Sequence, residues 1–136
     1  MGEVAGAGFI WVGRMTRTQR FELPWPPSTN RLWRSVRGRN ILSAEARRFK
    51  EEAGIALLMA RLKMIKGLVV VWIVLHPPDR RRFEIDNRAK AILDAIKGVV
   101  IEDDWMVECL MIKRRGVVKG GKAVVTVMPV EEDPYA

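Results

Sequence analysis

Leu68-Val-Val-Val-Trp-Ile-Val-Leu75 is an unbroken apolar run, closed in front by Gly67 and behind by His76-Pro77-Pro78. Eight residues are too few for an ordinary helix, and β-branching favours an extended chain. A strand with no polar alternation is one covered on both faces, so this segment predicts a central strand of a mixed sheet.

Downstream, Ala89, Ile92, Leu93 and Ile96 recur at helical spacing. They predict a helix beginning near Asp86 and ending at Gly98, a residue suited to the left-handed C-terminal position. Met106 to Arg114 and Lys122 to Met128 read as two further strands. Gly120-Gly121 between them predicts that they pair as a hairpin. Upstream, Ser43 is a helix cap with Glu45 in the first turn, where a negative charge suits the dipole. Ala46, Phe49, Ala53, Ala56, Leu57 and Ala60 form one apolar stripe on a helix of about five turns. Gly54 inside it costs about 1 kcal/mol relative to alanine. Phe21-Glu22-Leu23 alternates briefly and runs into Pro24-Trp25-Pro26-Pro27, a short strand followed by a rigid loop. That loop continues through Ser28 and Asn30 into the basic stretch Arg31, Arg34, Arg37 and Arg39. The order is β-α-β-α-β-β, one compact α/β (α+β) domain over residues 19–130. Residues 1–18 are expected to form a poorly ordered extension and residues 131–136 a tail.

The 136 residues suffice for one domain, and 49% of them are hydrophobic, enough for a core without crosslinks. Twenty-four lysines and arginines face 16 acids, a formal charge of +8 that implies a polyanionic partner. No basic amphipathic helix stands out, so nucleic acid fits that partner better than a membrane. Cys109 is the single cysteine and lies among Val107 and Met111, which predicts a buried structural thiol. His76 is equally alone, so zinc, which needs several nitrogen or sulfur ligands, is not suited. A metal here must be held by oxygen. Met1 to Val12 is apolar but short and has no preceding basic segment, matching neither a membrane span nor a signal peptide. Met15 offers an alternative translation start, and a cytoplasmic protein is expected.

The chemistry concentrates in Asp79-Arg-Arg-Arg-Phe-Glu-Ile-Asp-Asn87, which joins the apolar strand to the second helix. If Phe83 to Asp86 is extended, Glu84 and Asp86 point to one side while Phe83 and Ile85 point inward. Two carboxylates beside arginines suit Mg²⁺ or Mn²⁺, hard cations that take oxygen ligands and retain water for a phosphate to share. The same pattern also describes a solvated acidic pair balancing three arginines. Lys90 lies one helical turn beyond Asp86, either facing a phosphate or forming a surface ion pair with Asp86 or Asp94. Glu102-Asp103-Asp104 follows the second helix, where the chain returns towards the same edge. Asp103 and Asp104 are equal candidates for a third ligand on these grounds.

Taken together, Leu23-Pro-Trp-Pro-Pro-Ser-Thr-Asn30 with its arginine-rich sequel, Asp79-Arg-Arg-Arg, Ile85-Asp86-Asn87 with Lys90, and Asp103-Asp104 resemble the RusA family. These are small homodimeric Holliday junction resolvases, and the similarity runs from about Phe21 to about Met128. The resemblance implies catalytic residues Glu84, Asp86, Lys90 and Asp104, with Glu84, Asp86 and Asp104 holding Mg²⁺ or Mn²⁺. It thereby selects Asp104 over Asp103. Glu84 departs from the aspartate of the best-known members, adding a methylene to a ligand of the same kind. A homodimer would present two equivalent sites to two opposed strands of a four-way junction during recombination and repair. Arg31, Arg34, Arg37, Arg39, Arg80, Arg81, Lys113, Arg114, Arg115 and Lys119 are then candidates for DNA backbone contacts. No small-molecule cofactor or membrane partner is expected. Two rival readings are a related nuclease preferring flaps or other branches, and a catalytically silent basic DNA-binding protein.

Overall fold

The computed structural model describes residues 16–136; the expectation of a poorly ordered segment before residue 16 lies outside them. The apolar run becomes β4 (Val69–His76). It is central: β5 (Val107–Arg114) runs parallel along one edge and β6 (Lys122–Pro129) antiparallel along the other. β1 (Gln19–Pro24) pairs antiparallel with β6, giving the order β1-β6-β4-β5. Helices α1 (Ala44–Met59) and α2 (Ala89–Ile96) supply Phe49, Ala53, Leu57, Ile92 and Ile96 to the core on one sheet face. The strands meet them there with Phe21, Leu23, Val71, Ile73, Leu75, Val125 and Val127. At roughly 2–5 kcal/mol for truncating any such Leu or Ile to Ala, this cluster anchors the domain.

Four expectations need correction. The expected order describes the main sheet, but the basic stretch is not a loop. Trp33–Val36 (β2) and Arg39–Leu42 (β3) pair as a separate hairpin. Arg37 and Gly38 both take positive φ (52° and 76°) between them, the two-residue turn whose twist matches paired strands. The sequence carries Arg-Gly where Asn-Gly would have announced such a turn.

Secondly, β5 and β6 do not form a hairpin. β4 lies between them. Its uniformly apolar backbone segment is best shielded with a partner on each edge, and the connection from 115 to 121 passes over its end. Arg115 N–H donates to Leu75 O (2.9 Å) and Val118 N–H to Pro77 O (3.0 Å) on the way.

Thirdly, Cys109 is exposed. A register shift sets Cys109, not Glu108, beside Val70, on the outermost strand and on the face away from the helices. Finally, β4 is covered completely on only one face. Trp72, Val74 and His76 on the other are half-buried, with the Tyr135 ring tilted against Trp72 at 5.9 Å.

Helix starts are as read. Ser43 Oγ accepts from Ala46 N–H (3.0 Å) and donates to Arg31 O (2.5 Å), so one side chain caps α1 and ties it to the chain before the hairpin. A cap of this kind contributes about 1 kcal/mol. A 3-10 turn over Asp86–Arg88 leads into α2, and Gly98 follows the helix with φ 81°. No helix among the described residues is long and apolar enough to cross a membrane.

Candidate functional site

The acidic segment leaves the C-terminal end of β4 and crosses towards α2. Phe83 and Ile85 are partly buried against the core, while Glu84 and Asp86 are exposed. Ile85 already takes helical angles (φ −67°, ψ −33°) ahead of the 3-10 turn that Asp86 opens, so the segment is not extended through Asp86 as expected. Two contacts locate this segment. The Arg114 Nη2 donates to Phe83 O (2.9 Å) from the last residue of β5. Lys90 Nζ lies 3.7 Å from a carboxylate oxygen of Asp104, just ahead of the first residue of β5. The chain from Phe83 to Lys90 is therefore tied at one end to the last residue of β5 and at the other to the turn that precedes it.

Lys90 also pairs with Asp94 at 3.0 Å, one turn on, rather than with Asp86. Asp94 and then Asp104 hold its ammonium above the ordinary lysine value. Asp103 and Asp104, indistinguishable by position in sequence, have different surroundings. Asp103 Oδ1 accepts from the Asp104 N–H (2.8 Å), capping a short 3-10 turn, and lies 3.5 Å from Lys97 Nζ. The neighbouring Asp104 side chain first, then the Asp104 N–H and Lys97, hold the Asp103 carboxyl below its usual range. Asp104 instead turns towards Lys90.

Glu84 Oε1 accepts from Asn87 Nδ2 at 2.7 Å, which steadies the longer carboxylate from within the same turn. The donors available here are carboxylate and amide oxygens, the kind a hard divalent cation takes. Among the described residues, no three His, Cys, Asp or Glu side chains stand close enough to enclose an ion.

The proline-rich loop after β1 is fastened to this segment. Thr29 Oγ1 donates to Asn87 O (3.1 Å), and Arg88 Nη1 donates to Pro26 O (2.7 Å). The Trp25 and Phe83 rings meet edge to face at 5.2 Å. Arg88 lies over both rings, 5.0 Å from Trp25 and 5.9 Å from Phe83, and Arg114 lies 4.6 Å over Phe83. Contacts of this kind contribute about 0.5–2 kcal/mol each, more when desolvated. Burial pulls the Arg88 guanidinium below its ordinary value, with Glu45 opposing the shift. A cleft of about 330 Å³ opens beside Glu84, lined also by Ser28, Asn30, Arg82 and Asn87. A cavity of about 390 Å³ lies between Trp25, Arg31, Glu45, Pro78 and Arg88.

Of the basic residues, Arg34, Arg37 and Arg39 project from the β2–β3 hairpin, and Arg31, Arg80, Lys113 and Lys119 are likewise exposed. Arg81 is held by Asp79, at 2.9 and 3.0 Å, a pairing that also lowers the Asp79 carboxyl below its usual value. Arg115 folds onto Arg114 O at 2.9 Å. Arg114 faces Phe83. Sequence reading named neither Phe83 nor Arg88 as part of the site. Only their separation in sequence from the proline-rich loop hid them, since no local spacing announces a contact such as Arg88 to Pro26 across 62 residues.

The sequence profile of the family described as endodeoxyribonuclease RusA matches residues 24–128. The chain belongs to the RusA family. Among its RusA relatives, the crossover junction endodeoxyribonuclease of Escherichia coli strain K12 is 36% identical over 113 residues, covering 81% of this chain and 93% of that one. The counterpart in Escherichia coli O139:H28 is 34% identical over 119 residues, 85% and 98% of the two chains. The RusA of Enterobacteria phage 82 is 35% identical over 113 residues, with 81% and 93% covered. The matched span holds every candidate catalytic residue and both arginines that face Phe83.

Proposed function

We propose that this chain is a divalent-metal-dependent endonuclease that resolves Holliday junctions by paired nicks in opposed strands, acting as a homodimer. The observation that carries this reading is the family match across residues 24–128, since relatives of that span are crossover junction endodeoxyribonucleases.

Glu84, Asp86 and Asp104, which this structure does not gather into one cluster, would have to draw together to hold Mg²⁺ or Mn²⁺, and Glu84 is meanwhile bonded to Asn87. When bound, such an ion polarises water and offsets the charge developing on the phosphate. Lys90, carried between Asp94 and Asp104, offers a positive charge to a non-bridging phosphate oxygen. The basic hairpin and the arginines after Asp79 supply sequence-independent affinity for the backbone. A two-fold assembly would place two such sites on two equivalent strands.

The deciding experiment incubates purified protein with a mobile four-way junction, a flap and a linear duplex, in Mg²⁺, Mn²⁺ or EDTA. Symmetrical nicks in the junction that require the metal are expected. An uncut junction in both metals refutes the reading, and equal cutting of all three substrates points to a broader branched-DNA nuclease. Binding without cleavage under every condition leaves a silent DNA-binding protein. Sedimentation equilibrium tests the dimer separately, a monomeric mass at assay concentration counting against paired nicking.

A further inference from the structure

The residue immediately before Glu84 is held unusually tightly for a loop. Phe83 is gripped through both its ring and its carbonyl. Its ring takes the edge-to-face contact of Trp25 and the guanidinium of Arg114 at 4.6 Å, while the carbonyl accepts from Arg114 Nη2 at 2.9 Å. Arg88 completes the group, stacked 5.0 Å over Trp25 and bonded to Pro26 O at 2.7 Å. Its Nε is buried without a hydrogen-bond partner, so this guanidinium gives up a donor in order to lie on the rings. Trp25 belongs to the proline-rich loop, Phe83 to the acidic segment and Arg114 to the outer strand. Two elements distant in sequence, the proline-rich loop and the outer strand, therefore close on one phenylalanine of the acidic segment.

We propose that Arg88 and Arg114 are positioning residues for Glu84, acting through Phe83, rather than contacts for the DNA backbone. This rests on the reading of Glu84 as a metal ligand. Arg114, whose charge in the sequence suggests a phosphate contact, spends both its π-facing plane and a donor on Phe83. With Phe83 fixed, the next backbone unit has little freedom, and the extra methylene of Glu84 is met by a fixed origin at one end and Asn87 at the other.

Arg114→Lys and Phe83→Leu separate the two roles. The lysine keeps a charge for phosphate but cannot cover the ring and reach the carbonyl together. The leucine keeps apolar bulk but has no π face. Each is expected to raise the concentration of Mn²⁺ alone that half-saturates the protein, followed by electron paramagnetic resonance. Each should slow single-turnover junction cleavage about tenfold, the lower range for second-sphere losses around a metal. Metal-free junction affinity should stay within about twofold of wild type, since the net positive charge is kept in one and untouched in the other. The double variant should be no worse than either single one, because both break the same grip.

Additive losses overturn the proposal. So does an Arg114→Ala variant that weakens metal-free junction binding while leaving Mn²⁺ half-saturation unchanged. If wild-type protein neither binds Mn²⁺ nor cuts junctions, the metal-site reading fails instead, and hydrogen exchange at the 82–87 amides decides the clamp alone. Faster exchange there in both variants, with the melting temperature little changed, supports it; unchanged exchange refutes it.

Discussion

Asp86 stands at the first position of the 3-10 turn with its side chain exposed, and Lys90 is engaged elsewhere, by Asp94 and Asp104. Asp86→Asn keeps the shape and removes the charge. On the proposed reading of Asp86 as a metal ligand it should lower cleavage at least about a hundredfold, since losing a ligand costs more than losing a hydrogen-bond partner of one. Junction binding should be unchanged or tighter, since a negative charge near phosphates is gone; gel-shift and cleavage assays on the same preparation check both. A second residue acts from outside the acids. Gly121 has φ 73°, and a Cβ there would come within 2.9 Å of Trp25 Cβ and 3.0 Å of Pro78 Cδ. Gly120 shares the positive φ, 80°, with nothing within 4 Å. Both alanine variants carry backbone strain of about 1–3 kcal/mol. Gly121→Ala adds a clash with the tryptophan that braces Phe83, so it should lower both the melting temperature and cleavage more than Gly120→Ala.

At the scale of elements, the β2–β3 hairpin sets Arg34, Arg37 and Arg39 on an exposed two-stranded arm that contributes little to the main core. Replacing all three with glutamine should weaken junction binding and flatten the dependence of log affinity on log salt. The slope should shrink by about 0.9 for each phosphate that an arginine no longer neutralises. The melting temperature should barely move; a fall of many degrees would mean that the arm supports the fold instead. This arm was legible as charge but not as structure. Its turn needs positive φ at two residues, and the first is an arginine, so no local propensity marks it. β4 was legible because eight apolar residues between Gly67 and two prolines fit nothing but a buried strand. Which strands flank it was not. The glycine pair between β5 and β6 suits a hairpin locally, and only the need to pair both edges of β4 separates them.

Across the whole molecule, the two ends of the described chain are joined at Glu132. Its carboxylate accepts from Thr16 Oγ1 (2.6 Å), Thr18 Oγ1 (2.7 Å) and the Arg17 and Thr18 N–H groups, while Arg17 also pairs with Glu131. Residues assigned by sequence to an extension and a tail are thus fastened to one another. Burial of the Glu132 carboxyl raises its pKa, but those donors outweigh it and hold the value below the ordinary 4.5. A depressed folded pKa contributes stability that is fully present above about 4.5 and is lost as pH falls through the folded value. Thermal melts from about pH 6 down to about pH 3 should show Glu132→Gln several degrees below wild type at the upper end, with the gap closing in acid. A constant gap throughout would remove the charge from the explanation.

The sequence by itself determined the central strand, both helices, the cationic surface and the acidic segment, because each depends on neighbours within a few residues: an apolar run, a 3.6-residue stripe, a cluster of like charges. Its spaced motifs also determined the family. The tertiary structure alone decided which strands flank β4, that Cys109 faces outward, that Asp104 rather than Asp103 turns to Lys90, and that Arg114 faces Phe83. Those outcomes depend on which distant segments compete for one edge or one ring. Chain spacing carries no record of that competition.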